Sequence, residues 1–181
     1  MTDFGISDNI LTWVIKLDDI LYTSEITVLG VGNTILTDEG FGVHVVEHLK
    51  QNFEFPQNVQ LSDGGTLGVE LTHFITGTKK LLIIDSINGE QPAGTTFKFI
   101  NDEVIAHFRE KISAHEVGIQ EVLTMLELTG HKIPEVVVIG AQPYDLDAGT
   151  ELSPNMKMLI PVVTDMAINI LKSWNIQIKP V

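Results

Sequence analysis

Cysteine is missing from all 181 residues. Disulfides, thiolate nucleophiles and thiolate metal sites are thereby excluded, and any metal must sit on oxygen and imidazole. Basic residues are scarce: Arg109 is the one arginine, and the formal net charge is −13. That balance argues against nucleic-acid binding and against arginine-clamped phosphate chemistry, and it would draw in a cation or a basic peptide. Long hydrophobic runs are also missing. Leu81 to Ile84 and Val136 to Ile139 are short, of the kind buried strands have, so no membrane insertion is expected. Asp3 and Asp8 stand where a targeting leader would need Lys or Arg, so a soluble cytoplasmic protein is expected. What is present in quantity is apolar: 44% of the residues, ample for one domain with one core.

Strand and helix signals alternate along the chain. Strands are expected over Ile26 to Val31, Val59 to Ser62, Leu81 to Asp85, Thr95 to Ile100 and Glu135 to Gly140. Helices are expected over Asp38 to Gln51, Leu67 to Ile75, Glu116 to Leu128 and Pro154 to Ser173, the last opened by Ser153 as N-cap with Pro154 at its first position. Such alternation predicts an α/β fold, a single three-layer domain with a mostly parallel, twisted, five-stranded sheet and helices on both faces. The link between the third and fourth strands, with turn signals at Asn88-Gly89 and Pro92-Ala93-Gly94, is too brief for a helical crossover. The fourth strand is therefore expected to be antiparallel and at an edge. Residues 25–181 form this domain. Residues 1–24 stand apart as an extension of unassigned role, with a possible amphipathic helix over Ile10 to Ile15.

Ligands of such sheets gather beyond the carboxyl ends of the strands, and that rule selects particular residues. Gly30 to Val43 reads GVGNTILTDEGFGV, a strand, a Gly-Asn turn and a helix start carrying Asp38 and Glu39. The next strand is followed by Asp63-Gly64-Gly65-Thr66, read as a loop. The third ends in Asp85, and His115 falls in the first turn of a helix beginning near Ser113. Each has a bland counterpart. Two acids in a first helical turn suit the helix dipole whatever the function, Ser113 and Glu116 make a possible capping box around a surface His115, and Asp-Gly-Gly can be only a turn. Asp85 is harder to dismiss, because a buried run delivers it to the rim. The helix start would also keep the His115 imidazole neutral and available as a ligand.

Two other chemistries compete. A dinucleotide loop needs G-x-G-x-x-G, but after Gly30 and Gly32 the third position is Ile35, which would crowd the helix–strand contact, and two acids would repel a pyrophosphate. His44, Glu47 and His48 spell the H-x-x-E-H of inverted zinc peptidases. Helical phasing sets Gly42, Val45, Val46 and Leu49 toward the core, which turns His44 and Glu47 outward and leaves His48 at the boundary. An autonomous zinc hydrolase on these three residues is the alternative enzyme.

Five ordered elements resemble one family. GVGNTILTDEGFGV, DGGTLGVEL from Asp63, LLIIDSI ending at Ile87, SAHEVG from Ser113 and GAQPYDLDAGTELSP from Gly140 together resemble the hydrogenase maturation proteases, over about Ile26 to Leu171. The resemblance implies an endopeptidase that trims the C-terminal tail of a nickel-iron hydrogenase large-subunit precursor. It implies nickel binding by Glu39, Asp85 and His115, the metal arriving in the substrate, with zinc or cadmium able to substitute for it in a crystal. Asp63, Gly64, Gly65 and Thr66 become expected substrate contacts, and Asp38 an acid that orients substrate from behind. A noncatalytic assembly adaptor recognising the same precursor is the third class. No nucleophile constellation is visible, so no covalent intermediate is expected.

Overall fold

Aliphatic, largely β-branched runs form strands buried on both faces, as a sheet covered by helices on each side requires. The computed structural model describes residues 24–109 and 114–181; the side chains of residues 69, 105, 107–109 and 114–118 fall outside that description. The expected Ile10 to Ile15 helix, the rest of the extension up to residue 23 and the Ser113 end of the capping box also lie outside the described residues. The strands are β1 (Ile26–Val31), β2 (Phe53–Glu54), β3 (Val59–Gly65), β4 (Lys80–Ser86), β5 (Thr96–Ile100), β6 (Glu135–Ala141) and β7 (Lys179–Pro180). The helices are α1 (Phe41–Asn52), α2 (Thr72–Ile75), α3 (Asp102–Arg109), α4 (Ala114–Leu128), α5 (Pro154–Lys157) and α6 (Ile160–Ser173), with 3-10 turns at Thr37–Gly40 and Val69–Leu71.

The main sheet has five strands in the order β3-β1-β4-β6-β5. β1, β3, β4 and β6 run parallel, and β5 joins β6 antiparallel at the edge, as its short connection predicts. β5 alternates exposed and half-buried residues, which suits an edge. Strand alternation divides the core into two layers. Val28, Leu82, Ile84, Val137 and Ile139 meet α1 and α6 through Val45, Val46, Leu49, Val163, Ala167 and Leu171. Leu29, Leu81, Ile83 and Val138 meet α3 and α4 through Val104, Ile119, Val122 and Leu126. This is the expected three-layer architecture. Among the described residues no helix is long and apolar enough to cross a membrane.

Several boundaries differ from the sequence expectation. The helix expected from Asp38 starts as a 3-10 turn and becomes α-helical only at Phe41. Leu36 bridges to Gly149 and Thr37, the first residue of that turn, adopts φ 37°, so the chain is held out of the right-handed helical region where the turn begins. Asp63, Gly64 and Gly65 are not a loop: β3 continues through them, with a register irregularity that pairs Gly30 with Asp63 and Val31 with Gly65. The Leu67 to Ile75 helix is two short pieces, a 3-10 turn and α2. The closing helix is capped as expected, Ser153 accepting from the Met156 amide at 3.2 Å, but it breaks after Lys157. Pro161 sits in the first turn of α6 and has no N–H to give back to the preceding turn. α3 and the small antiparallel pair β2–β7 went unread. α3 is short and begins after Asn101 at φ 50°, with the Glu103 carboxylate reaching back to the Ile100 amide at 3.0 Å.

Candidate active site

The carboxyl ends of β1, β3, β4 and β6 share one edge, and four loops leave from it. β1 hands over to the turn that carries Glu39. Gly32 takes φ 126°, and a Cβ there would lie 1.8 Å from the Glu39 carbonyl oxygen, so only glycine lets the turn fold back this closely. Gly42 does the same for α1: a Cβ would lie 2.0 Å from the Ile84 carbonyl and 2.5 Å from that of Val31. The close helix–strand contact is therefore made at Gly42, whereas Ile35, expected to crowd it, is 63% exposed. The turn itself packs on β4, and Glu39 is half-buried with its amide donating to the Leu36 carbonyl at 2.9 Å.

β4 delivers Asp85 to the same edge. It is 1% exposed, and its Oδ1 accepts from the Ser86 amide at 2.7 Å. By strand alternation it shares the face of Leu81 and Ile83, the face covered by α4. His115 lies in the first turn of that helix, and its side chain lies outside the described residues. Two of the three expected ligands are thus carried on packed neighbouring elements, and the third is on the helix covering the face of Asp85.

The expected substrate contacts divide. Asp63 and Thr66 are exposed, and Asp63 Oδ1 accepts from the Gly65 amide at 2.8 Å, which fixes Gly65 at φ 48°. Gly64 faces the core: a Cβ would lie 2.9 Å from Leu29 and 3.0 Å from Leu71, so its smallness serves packing. Asp38 is fully buried and turned inward. Its Oδ2 accepts from the amides of Tyr144 and Asp145, both at 3.0 Å, and from Ser153 Oγ at 2.9 Å, while Oδ1 accepts from the Ser153 amide at 2.7 Å. It therefore acts on its surroundings through the segment after β6, not by direct contact with a ligand.

That segment carries a residue the sequence reading passed over. Gln142, buried just past β6, accepts through Oε1 from the amides of Gly89 at 2.8 Å and Gln91 at 3.4 Å, and donates through Nε2 to Asn88 Oδ1 at 3.0 Å. It ties the loop after β4 to the loop after β6. The signal was available: like Asp85, it is a polar residue directly following a buried apolar run. Farther along, Lys157 hydrogen-bonds Glu151 at 2.6 Å; that bond, and then the lysine charge, hold the exposed carboxyl below its ordinary value.

The sequence profile of the hydrogenase maturation proteases (HycI) matches residues 43–170. The hydrogenase expression/formation protein HoxM of Cupriavidus necator is 39% identical over 152 residues, 82% of this chain and 75% of that protein. The chain belongs to the hydrogenase maturation proteases. The hydrogenase 2 maturation protease of Escherichia coli is 35% identical over 156 residues, 86% of this chain and 95% of that protein. The solved structure of the hydrogenase maturating endopeptidase HybD from E. coli superposes with a TM-score of 0.83 at 34% identity, covering 86% of this chain and 96% of that one. Membership makes the chain an endopeptidase.

In this maturation protease the His44, Glu47 and His48 motif is a helix surface. Gly42, Val45, Val46 and Leu49 are buried as phasing predicts, and the three motif residues are half-buried. Glu47 accepts from Lys50 at 2.7 Å, and His48 Nδ1 lies 3.2 Å from Asn52 Nδ2. Among the described residues no three His, Asp or Glu side chains stand together as a metal would need, and His44, Glu47 and His48 are among those residues.

Proposed function

We propose that this endopeptidase removes the C-terminal extension of a nickel-iron hydrogenase large-subunit precursor after nickel insertion, and that Glu39, Asp85 and His115 engage the nickel carried by that precursor. The supporting observation is the packing of the Glu39 turn on β4, whose carboxyl end bears Asp85 on the face covered by the helix of His115. Two carboxylates and an imidazole suit a borderline divalent ion and leave coordination positions for the precursor's own ligands. A chain without cysteine would not trap the metal it inspects. A cytoplasmic place of action goes with this reading.

Nickel so held would polarise the scissile carbonyl or acidify a water, and a carboxylate oxygen of Glu39 or Asp85 left free by the metal would take the water's proton and pass it to the leaving amine. Asp63 and Thr66, exposed at the end of β3, would contact the peptide leading into the cut. The test is purified precursor incubated with the wild type and with Asp85→Asn, followed by intact mass. One defined C-terminal loss with the wild type alone supports the proposal, and an unchanged mass with the wild type overturns it.

A further inference from the structure

The carboxylate of Asp38 gathers both ends of one loop. Tyr144 and Asp145 donate their amides to it from the start of the loop, and Ser153 donates its amide and hydroxyl from the end. The same serine hydroxyl caps α5 by accepting from Met156. Between these anchors the loop is laced to the segment preceding Glu39. Thr37 Oγ1 donates to the carbonyls of Asp145 at 2.8 Å and Asp147 at 3.0 Å. The amide of Thr37 donates to the Gly149 carbonyl, and the amide of Gly149 to that of Ile35. Thr37 is β-branched and sits at φ 37°, a backbone state that costs about 1–3 kcal/mol and persists only where neighbours enforce it. On this laced pair of segments two large aliphatic side chains are left in solvent, Ile35 at 63% and Leu146 at 50% exposure, beside the part-exposed ring of Tyr144.

We propose that Asp38 is a positioning residue for the peptide substrate: it holds residues 144–149 against residues 35–38 as a preformed platform beside Glu39, and Ile35 and Leu146 on that platform take apolar side chains of the precursor near the scissile bond. The inference rests on the endopeptidase reading. A loop that must be ordered on binding costs affinity, and one already ordered by a buried carboxylate does not. Asp38 suits the task because an ionised carboxylate accepts all four hydrogen bonds at once, whereas an amide has one acceptor oxygen and a donor that faces other donors.

The experiment combines amide hydrogen exchange with precursor-cleavage kinetics on the full chain, for the wild type, Asp38→Asn, Ser153→Ala and Ser153→Thr. In Asp38→Asn the amides of Tyr144, Asp145 and Ser153 should exchange faster, and KM should rise about tenfold or more with kcat held within about threefold, the pattern of lost substrate binding. Ser153→Ala removes one bond of the four together with the cap of α5 and should show a smaller rise; Ser153→Thr keeps the hydroxyl for both and should recover most of it. If Asp38→Asn does not fold, the two serine variants carry the comparison. Faster exchange with unchanged KM per folded molecule would overturn the proposal, as would a fall confined to kcat. A wild type that leaves the precursor uncut would instead overturn the endopeptidase reading, whatever the exchange shows.

Discussion

Asp38 and Asp85 are both buried carboxylates at this edge of the sheet, and they should fail in opposite ways. Asp38 serves three backbone amides and a hydroxyl, so Asp38→Ala strands these donors. Each buried unmet donor costs about 1–3 kcal/mol, and some will find water, so urea unfolding should show a loss of about 3 kcal/mol. Asp85→Asn keeps the volume at the end of β4. It should leave the free energy of urea unfolding within about 1 kcal/mol of the wild type while lowering precursor cleavage by about 100-fold or more. Glu39→Gln should behave as Asp85→Asn does. If Asp85→Asn instead lost stability and kept cleavage, Asp85 would be a structural residue and the proposed site would lack its buried member.

At the scale of elements, the close approach of α1 to the sheet needs glycine at both Gly30 and Gly42. A Cβ on Gly42 would meet the Ile84 carbonyl at 2.0 Å and that of Val31 at 2.5 Å, both backbone atoms of strands that cannot turn aside. Gly42→Ala should therefore destabilise by about 3 kcal/mol, at the upper end of overpacking effects, despite alanine's better helix propensity. Thermal unfolding of the single variant checks it. The elements that were legible in the sequence were those whose signal is local: aliphatic runs for β1, β4 and β6, a short turn-rich link for the antiparallel β5, and Ser-Pro for the start of α5. What was not legible depends on partners far along the chain. The late start of α1 is imposed by Gly149 bridging to Leu36, and the role of Asp38 is set by Ser153, 115 residues away. Nothing near Asp38 in the sequence separates a helix-dipole acid from a loop anchor. Gly64 misled for a related reason: two glycines after a strand look like a loop until Leu29 and Leu71 are seen against one of them.

For the whole molecule, the two apolar layers on either side of the sheet account for the fold without any metal. A chelator should therefore leave the Tm of the purified protein unchanged within experimental scatter, since stabilisation by a ligand requires that the native state hold it. A fall of several degrees would mean a resident structural ion. The proposed nickel belongs to the substrate, and that is the claim on which the account turns. Its most direct measurement is intact mass of the large-subunit precursor, prepared nickel-loaded and nickel-free, after incubation with equal amounts of this protease. The account predicts loss of one C-terminal segment from the loaded form and none from the nickel-free form; equal cutting of both would contradict it.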